Sequence, residues 1–373
     1  MLEPAEGVLP QLDRWLVTVV QPVGRLRAKL VHCHVRRDRE DPGAQVPAVL
    51  QPSIRAQGAQ ERLLPGVLGP LPEQPTKVPE HLVAVSDVET LERRNRRVRH
   101  HPHHGRNVGG SRIVRCAVVG HVEWVEFARV PHMPQAGEIV HAEQVWEEPA
   151  GGGAVVARQL ALLAGGCTFF TALGDDALGH AASARLQELN LDLHVQWTAS
   201  SRTRRAWTHV DGGGERTITV LGEKLLPAGP FPIEGYDLVF FVSGDAEALR
   251  SGRAARVLAA TLRELPTLRR ADVPIDLLVG SLSDPGEQHD GSLEVATLVL
   301  TDGARGGTAN GVPYDAVVAP TVVDTYGAGD SFAAALAYGL ARGRDLDDAL
   351  GLAARAGAAV VAGAGPYSGQ ISG

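Results

Sequence analysis

The segment Asp324–Phe332, DTYGAGDSF, holds the residues best suited to chemistry. Gly327-Ala-Gly-Asp330 directly precedes a small-residue run, SFAAALAYGL, whose spacing predicts a helix over about Ala328–Arg342. Glycines at a helix opening let backbone N–H groups face outward, and the helix N-terminus favours negative charge. That is a hole for a phosphate, or for the charge that develops as a phosphoryl group moves. Asp330 would stand beside it. A carboxylate is ill placed to hold phosphate, but it can take a proton from an attacking hydroxyl as a general base. Gly-Asp-Ser before an apolar helix is equally an ordinary N-cap, so the residues alone leave both readings open.

Two more clusters belong to the same chemistry. Thr301-Asp-Gly303-Ala-Arg-Gly306-Gly307 follows the apolar run Ala296–Leu300, and a glycine-rich turn after a strand can cradle phosphate or simply turn. Asp284-Pro-Gly-Glu287 sets two carboxylates three residues apart, a spacing that can hold Mg²⁺ mostly through water or form a solvated turn. G-x-x-x-x-G-K-[ST], G-x-G-x-x-G and G-x-S-x-G are all missing from the sequence, which disfavours a P-loop kinase, a dinucleotide site and a hydrolase elbow.

The elements that must position these groups are legible from Ile113 onward. Ile113–Gly120 (IVRCAVVG) reads as a buried first strand, Ala154–Ala164 as a helix stopped by Gly165-Gly166, Cys167–Leu173 as a strand and Asp176–Leu189 as a helix. This β-α-β-α rhythm predicts a parallel sheet. Arg205–Val210 and Glu215–Val220, joined by Asp211-Gly-Gly-Gly214, read as a hairpin that interrupts it. Tyr236–Val242, Ile275–Val279 and Ala296–Leu300 add buried strands, and Leu346–Ala362 a last helix. The expected fold is α/β: an open, mostly parallel sheet with helices on both faces and a small β lid at about 205–221.

Residues 1–112 differ in kind. They hold 17 Lys+Arg against 12 Asp+Glu, about +5, whereas the rest holds 19 against 31, about −12. They also carry 12 of the 24 prolines and 7 of the 14 histidines, with nothing periodic enough to build a core. They are expected to be a disordered Pro/Arg/His-rich leader, or to lie upstream of a natural start near Ile113. The run Arg93–His104 (RRNRRVRHHPHH) reads as a solvated charge run rather than a nucleic-acid tail, and its histidines as part of that run rather than a metal site. A formal net charge of −7 gives no support for a nucleic-acid partner. Three distant cysteines, Cys33, Cys116 and Cys167, argue against a disulfide framework and fit a reducing compartment. With no apolar run long enough for a membrane span and no secretory signal, a cytoplasmic location is expected.

DTYGAGDSFAAAL resembles the C-terminal signature of the ribokinase-like, or PfkB, carbohydrate kinases, D-T-x-G-A-G-D-x-F followed by small residues. The resemblance covers about residues 113–367. It implies phosphorylation of a hydroxyl on a small molecule, a sugar or sugar derivative, with ATP and Mg²⁺. A nucleoside or vitamin-precursor kinase of the same fold, or a non-catalytic ATP- or sugar-binding regulator, is the alternative. Asp330 resembles the catalytic base and Gly327, Ala328 and Gly329 the backbone anion hole. Asp324 resembles the acid beside it, which in some members helps position a monovalent cation. Thr301, Gly303 and Gly306 resemble the nucleotide loop T-x-G-x-x-G. Asp284 and Glu287 resemble the N-x-x-E motif that organises magnesium, with Asp in place of Asn. Glu215-Arg216-Thr217 resembles the G-E-R-T step of the lid, and Gly174-Asp175-Asp176-x-x-Gly179 the G-x-D-x-x-G after the second strand.

The acceptor end departs from this pattern. Where the family carries Asn and a sugar-gripping Asp after the first strand, this sequence has Glu123 and Val125. The glycine loop at Gly151, Gly152 and Gly153 lacks the Asn of G-G-x-x-x-N. Gly152, Gly153 and Glu123 are the expected substrate residues, with His121, Glu126 and Arg158 as further substitutes for the missing polar groups; His121 and Glu126 read equally as exposed strand-end residues. An exposed hairpin also leaves strand edges that a second copy could cover, so a homodimer through the lid is expected.

Overall fold

The computed structural model describes residues 113–373; the expectations for the leader lie outside them. The strands are β1 (Cys116–Val119), β2 (Glu123–Arg129), β3 (Gln144–Ala150), β4 (Cys167–Gly174), β5 (Leu191–Thr198), β6 (Arg205–Val210), β7 (Arg216–Leu221), β8 (Leu238–Phe241), β9 (Val257–Thr261), β10 (Ile275–Ser281), β11 (Val295–Thr301), β12 (Gly307–Ala309) and β13 (Val312–Tyr314). The helices are α1 (Gly152–Ala164), α2 (Ala177–Glu188), α3 (Ala246–Gly252), α4 (Leu265–Ala271), α5 (Ala328–Ala341) and α6 (Leu346–Val361).

Nine strands form one sheet in the order β13-β12-β11-β10-β9-β8-β1-β4-β5. All neighbours from β11 to β5 run parallel, and β12 and β13 close one edge antiparallel. The central strands are apolar throughout because both faces are covered. Their side chains alternate: Val118 and Phe240 enter a core with α1, α2, α5 and α6, whereas Val119 and Phe241 enter a core with α3 and α4. Gly165 ends α1 in the left-handed region at φ 83°, where its N–H donates to Ala161 O. Asp345 caps α6 by accepting from Asp348 N.

The chain leaves β1 toward β4 and β5 on one side and returns at β8 on the other. That reversal opens a crevice at the carboxyl ends of β1 and β8, where open α/β sheets bind ligands.

The hairpin expected at 205–221 is half of a larger element. β6 and β7 join β2 and β3 in a four-stranded sheet ordered β3-β2-β6-β7. The segments around Glu123 and Glu148, for which no strand is expected, form β2 and β3, paired antiparallel over their whole length. Val125, Phe127 and Ala206 are buried on the inner face of this lid, and Phe127 stacks on Trp146 at 4.9 Å and meets Tyr326 edge-on at 5.0 Å. Among the described residues no helix is long and apolar enough to cross a membrane.

Candidate functional site

Gly327 opens α5 in the left-handed region at φ 76°, a conformation that side chains other than glycine's resist. The preceding turn is held from behind by Asp324. That residue is fully buried, with Oδ1 accepting from Tyr326 N (2.8 Å) and Oδ2 from Gly365 N (2.9 Å). Asp330 lies in the first turn of α5. A side chain on Gly152 would stand 3.2 Å from Asp330 Oδ1, so the glycine loop packs directly on this carboxylate. Burial raises the Asp330 carboxyl to about 6, with Glu287 and Glu123 adding to the shift and Arg216 and Arg263 opposing it. An acid with that value is charged near neutrality yet basic enough to take a proton.

The glycine loop is tight for a reason. Any Cβ on Gly153 would come within 2.6 Å of His121 O, and one on Gly151 within 3.3 Å of the His121 ring. The loop thereby joins Gly152, Gly153, Glu123 and Asp330 in one place. His121 and Ser243 meet at the reversal point of the sheet: His121 N donates to Ser243 Oγ (3.0 Å), and His121 Nδ1 lies 2.9 Å from the same oxygen. Burial, with Lys224, Arg204 and Arg263 nearby, holds the His121 imidazole neutral well below its ordinary value. Glu123 is buried at the start of β2, 3.2 Å from Arg204 Nε and 3.8 Å from His121 Nε2. Burial raises its carboxyl while Arg204 and Lys224 pull it down.

Arg204 is fixed by its neighbour. Asp176 caps α2 by accepting from Gly179 N (2.8 Å) and also accepts from Thr203 N (2.9 Å) and Thr203 Oγ1 (2.8 Å). The G-x-D-x-x-G motif therefore anchors the segment that carries Arg204 under the lid. Lys224 pairs with Glu264 at 3.0 Å.

The loops that carry Asp284, Glu287, Thr301, Gly303 and Gly306 lie at the carboxyl ends of β10 and β11. Thr301 Oγ1 donates to Gly280 O at 3.2 Å, and Asp302 N donates to Gly306 O at 2.7 Å. Gly306 has φ 88°, and a Cβ there would fall 2.0 Å from Tyr314 O. Gly303, at φ 57°, has open space where a side chain would stand. Tyr314 stacks on Phe332, which ties this edge to α5. Asp284 and Glu287 sit in the loop after β10, and both pair with Arg263.

Two expected acceptor residues lie in other networks. Glu126 pairs with Arg205 on the outer face of the lid, and Arg158 donates to Leu189 O at 2.6 Å. Val125, at the position of the family's gripping Asp, is buried in the lid core. Arg204, Lys224, Ser243 and Arg263 were not singled out by sequence reasoning. Only Ser243 carried a signal, as a polar residue at the carboxyl end of a buried strand beside a reversal. The others arrive through contacts between distant segments.

Similarity to known proteins agrees with this arrangement. At 20% identity the chain overlays a ribokinase of Arabidopsis thaliana complexed with ribose and ATP (TM-score 0.56), covering 70% of this chain and 96% of that one. A Methanocaldococcus jannaschii nucleoside kinase overlays at TM-score 0.56 and 17% identity, covering 70% and 96%. A Cryptococcus neoformans ribokinase in complex with ADP overlays at 0.55 and 21%, covering 70% and 98%. These likenesses show the fold. A ribokinase of Dictyostelium discoideum is 30% identical over 106 residues, so the match spans 28% of this chain and about a third (33%) of that relative. The family model described as pfkB family carbohydrate kinase matches residues 114–230 and 287–371, more than half of the sequence, and the match includes residues 301–307, residues 327–330 and the four-stranded lid. On that match the chain belongs to the pfkB family of carbohydrate kinases.

Proposed function

We propose that this chain is an ATP-dependent kinase that phosphorylates a hydroxyl of a sugar or sugar derivative, with Asp330 as general base. The observation that carries the reading is the Asp330 carboxylate at the mouth of the α5 anion hole, pressed against Gly152 and raised by burial to about 6. The acceptor would lie between the glycine loop and the lid, and ATP along the loops at 301–307 and 327–330. The acceptor hydroxyl would pass its proton to Asp330 while its oxygen bonds the γ-phosphorus. The bond from that phosphorus to the bridging oxygen would break, and ADP would leave. The amides of Gly327 and Gly329 would carry the charge on the transferring group, Ala328 N being turned onto Thr325 O at 3.4 Å in the present turn. Asp324 would act by holding this turn, since its carboxylate oxygens accept from backbone amides.

On the acceptor side, Glu123, His121 and Arg204 would replace the usual readers of sugar hydroxyls. Arg204 Nε is buried without a hydrogen-bond partner although it lies 3.2 Å from Glu123, so the guanidinium would have a donor for a ligand. The lid also offers an oligomer contact: β7 is an edge strand with Ile218 and Val220 exposed, and a second copy would cover it. Light scattering of the full chain tests that contact; a monomer overturns it.

The decisive experiment measures ATP consumption with sugars, sugar phosphates and nucleosides as acceptors. Turnover with a sugar or sugar derivative, lost in Asp330→Asn, supports the reading. Turnover with nucleosides alone moves the acceptor class. ATP binding with no turnover on any acceptor leaves a binding protein and overturns it.

A further inference from the structure

The resemblance to N-x-x-E implies that Asp284 and Glu287 organise magnesium, and their present partners can be tested against that role. All four carboxylate oxygens already have donors. Asp284 Oδ1 accepts from Gly286 N at 2.8 Å, and Asp284 Oδ2 accepts from Arg263 Nη2. Glu287 Oε2 accepts from Ser281 N at 2.7 Å, and Glu287 Oε1 lies 3.1 Å from the same Arg263 nitrogen. The Glu287 side chain is only 9% exposed.

A magnesium ion keeps several waters in an octahedral shell and needs carboxylate oxygens open toward solvent. A guanidinium needs neither, because its fixed fork of donors satisfies carboxylates directly. Because both carboxylates share the Arg263 guanidinium, a divalent ion between them would stand against a like charge, and the pair as built fits the guanidinium. Arg263 comes from a one-turn 3-10 helix, Leu262–Glu264, that follows β9, so its backbone is fixed beside the loop. Arg263 and Asp284 both fall in the stretch 231–286, which the family model leaves unmatched.

We infer that Arg263 is the resident cation of the Asp284–Glu287 pair, so that this chain takes no divalent ion there and metal enters the site only on the nucleotide. Arg263 is a positioning residue: it holds the loop after β10 closed and keeps one fixed positive charge where a mobile ion would otherwise come and go. Only the rate measurement below rests on the kinase reading. The metal-binding measurement stands without it.

The test is Mn²⁺ binding to the nucleotide-free full chain, read from the electron-paramagnetic-resonance signal of the free ion. The wild type should show no site that depends on Asp284 or Glu287. Arg263→Gln should gain one site, about tenfold or more tighter than any wild-type binding, the scale of a like charge removed at short range. Adding Glu287→Gln to that variant should abolish the gain, and Arg263→Lys, which keeps the charge, should stay without it. A wild-type site lost in Glu287→Gln overturns the inference, and this measurement needs no Arg263 variant to fold. An Arg263→Gln protein with a native circular-dichroism spectrum and no new site overturns it as well. With an accepted substrate in hand, the wild-type rate should follow the concentration of the metal–ATP complex and gain nothing from excess metal. Further activation by free metal, lost in Glu287→Gln, would contradict the inference. Absence of turnover on every acceptor would count against the kinase reading alone.

Discussion

Arg216 Nη1 donates to Thr325 Oγ1 at 3.1 Å, and this bond latches the last lid strand to the turn that opens α5. The latch is reinforced by Thr325 N, which donates to Gly214 O at 3.0 Å, and by Arg129 Nη2, which donates to Val323 O at 3.1 Å. Arg216 is also the leading charge that opposes the upward shift of Asp330. Removing it should raise the Asp330 carboxyl further above 6, leaving less of the base ionised near neutrality. Arg216→Gln should therefore lose more activity at pH 6 than at pH 8, with the acid limb of the pH–rate profile moved to higher pH. An unmoved acid limb would show that the lid charge does not reach the base.

Asp330 itself should show opposite effects on rate and stability. Asp330→Asn should cost roughly 10²–10⁴-fold in kcat, the usual size of a general-base contribution. The wild-type carboxyl lies at about 6 in the folded chain against an ordinary 3.8, so the folded state binds the proton more tightly than the unfolded one. Its cost to stability begins as pH rises past 3.8 and is complete above about 6. Asp330→Asn should accordingly melt higher than wild type at pH 7–8, by up to about 3 kcal/mol, and the difference should shrink toward pH 4. Thermal denaturation across that range checks the sign.

Gly152 offers a purely steric probe of the same carboxylate. A Cβ there would meet Val242 Cγ1 at 3.0 Å and Asp330 Oδ1 at 3.2 Å, close enough that a neighbour must give by a few tenths of an ångström. Gly152→Ala should fold, because the position needs no left-handed backbone, yet displace the base. A loss of up to about 10²-fold in kcat is expected, an upper bound set by a full ångström of misplacement, since the contact itself asks for only a few tenths. Equal turnover in the variant would mean that the glycine loop does not set the base.

The sheet, its helices and the phosphate end were legible in the sequence because their signals are local. Val118-Val119 and Leu238–Phe241 are apolar on consecutive residues, and Gly327-Ala-Gly-Asp330 announces itself at the head of a small-residue helix. The lid was half legible. β6 and β7 are joined by an obvious glycine turn, but β2 and β3 are separated by the long stretch 130–143 and carry Glu147, Glu148 and Pro149, so neither advertises a strand. The acceptor end was least legible because it is built from segment meetings: His121 with Ser243 is a contact across 122 residues. Val125 marked a departure from the family's pattern, and nothing in its neighbourhood pointed to Arg204, which the fold sets beside Glu123.

Glu123 and Arg204 supply the last prediction, and it separates recognition from stability. If Arg204 reads the acceptor, Arg204→Gln should raise the acceptor KM by about 10–100-fold, the size of a lost charged hydrogen bond, and leave the ATP KM unchanged. It should also strand a buried carboxylate, because Arg204 is the leading group that holds the Glu123 carboxyl down against burial. Without it the folded-state value moves further above 4.5, and folding disfavours the ionised form. The melting temperature of Arg204→Gln should then fall increasingly below wild type as pH rises from 5 to 8, since the cost appears only when Glu123 must ionise. Adding Glu123→Gln removes the charge and should flatten that pH dependence while leaving the acceptor KM high. A KM defect that disappears in the double variant would mean that Arg204 serves only to neutralise Glu123 and does not contact the acceptor.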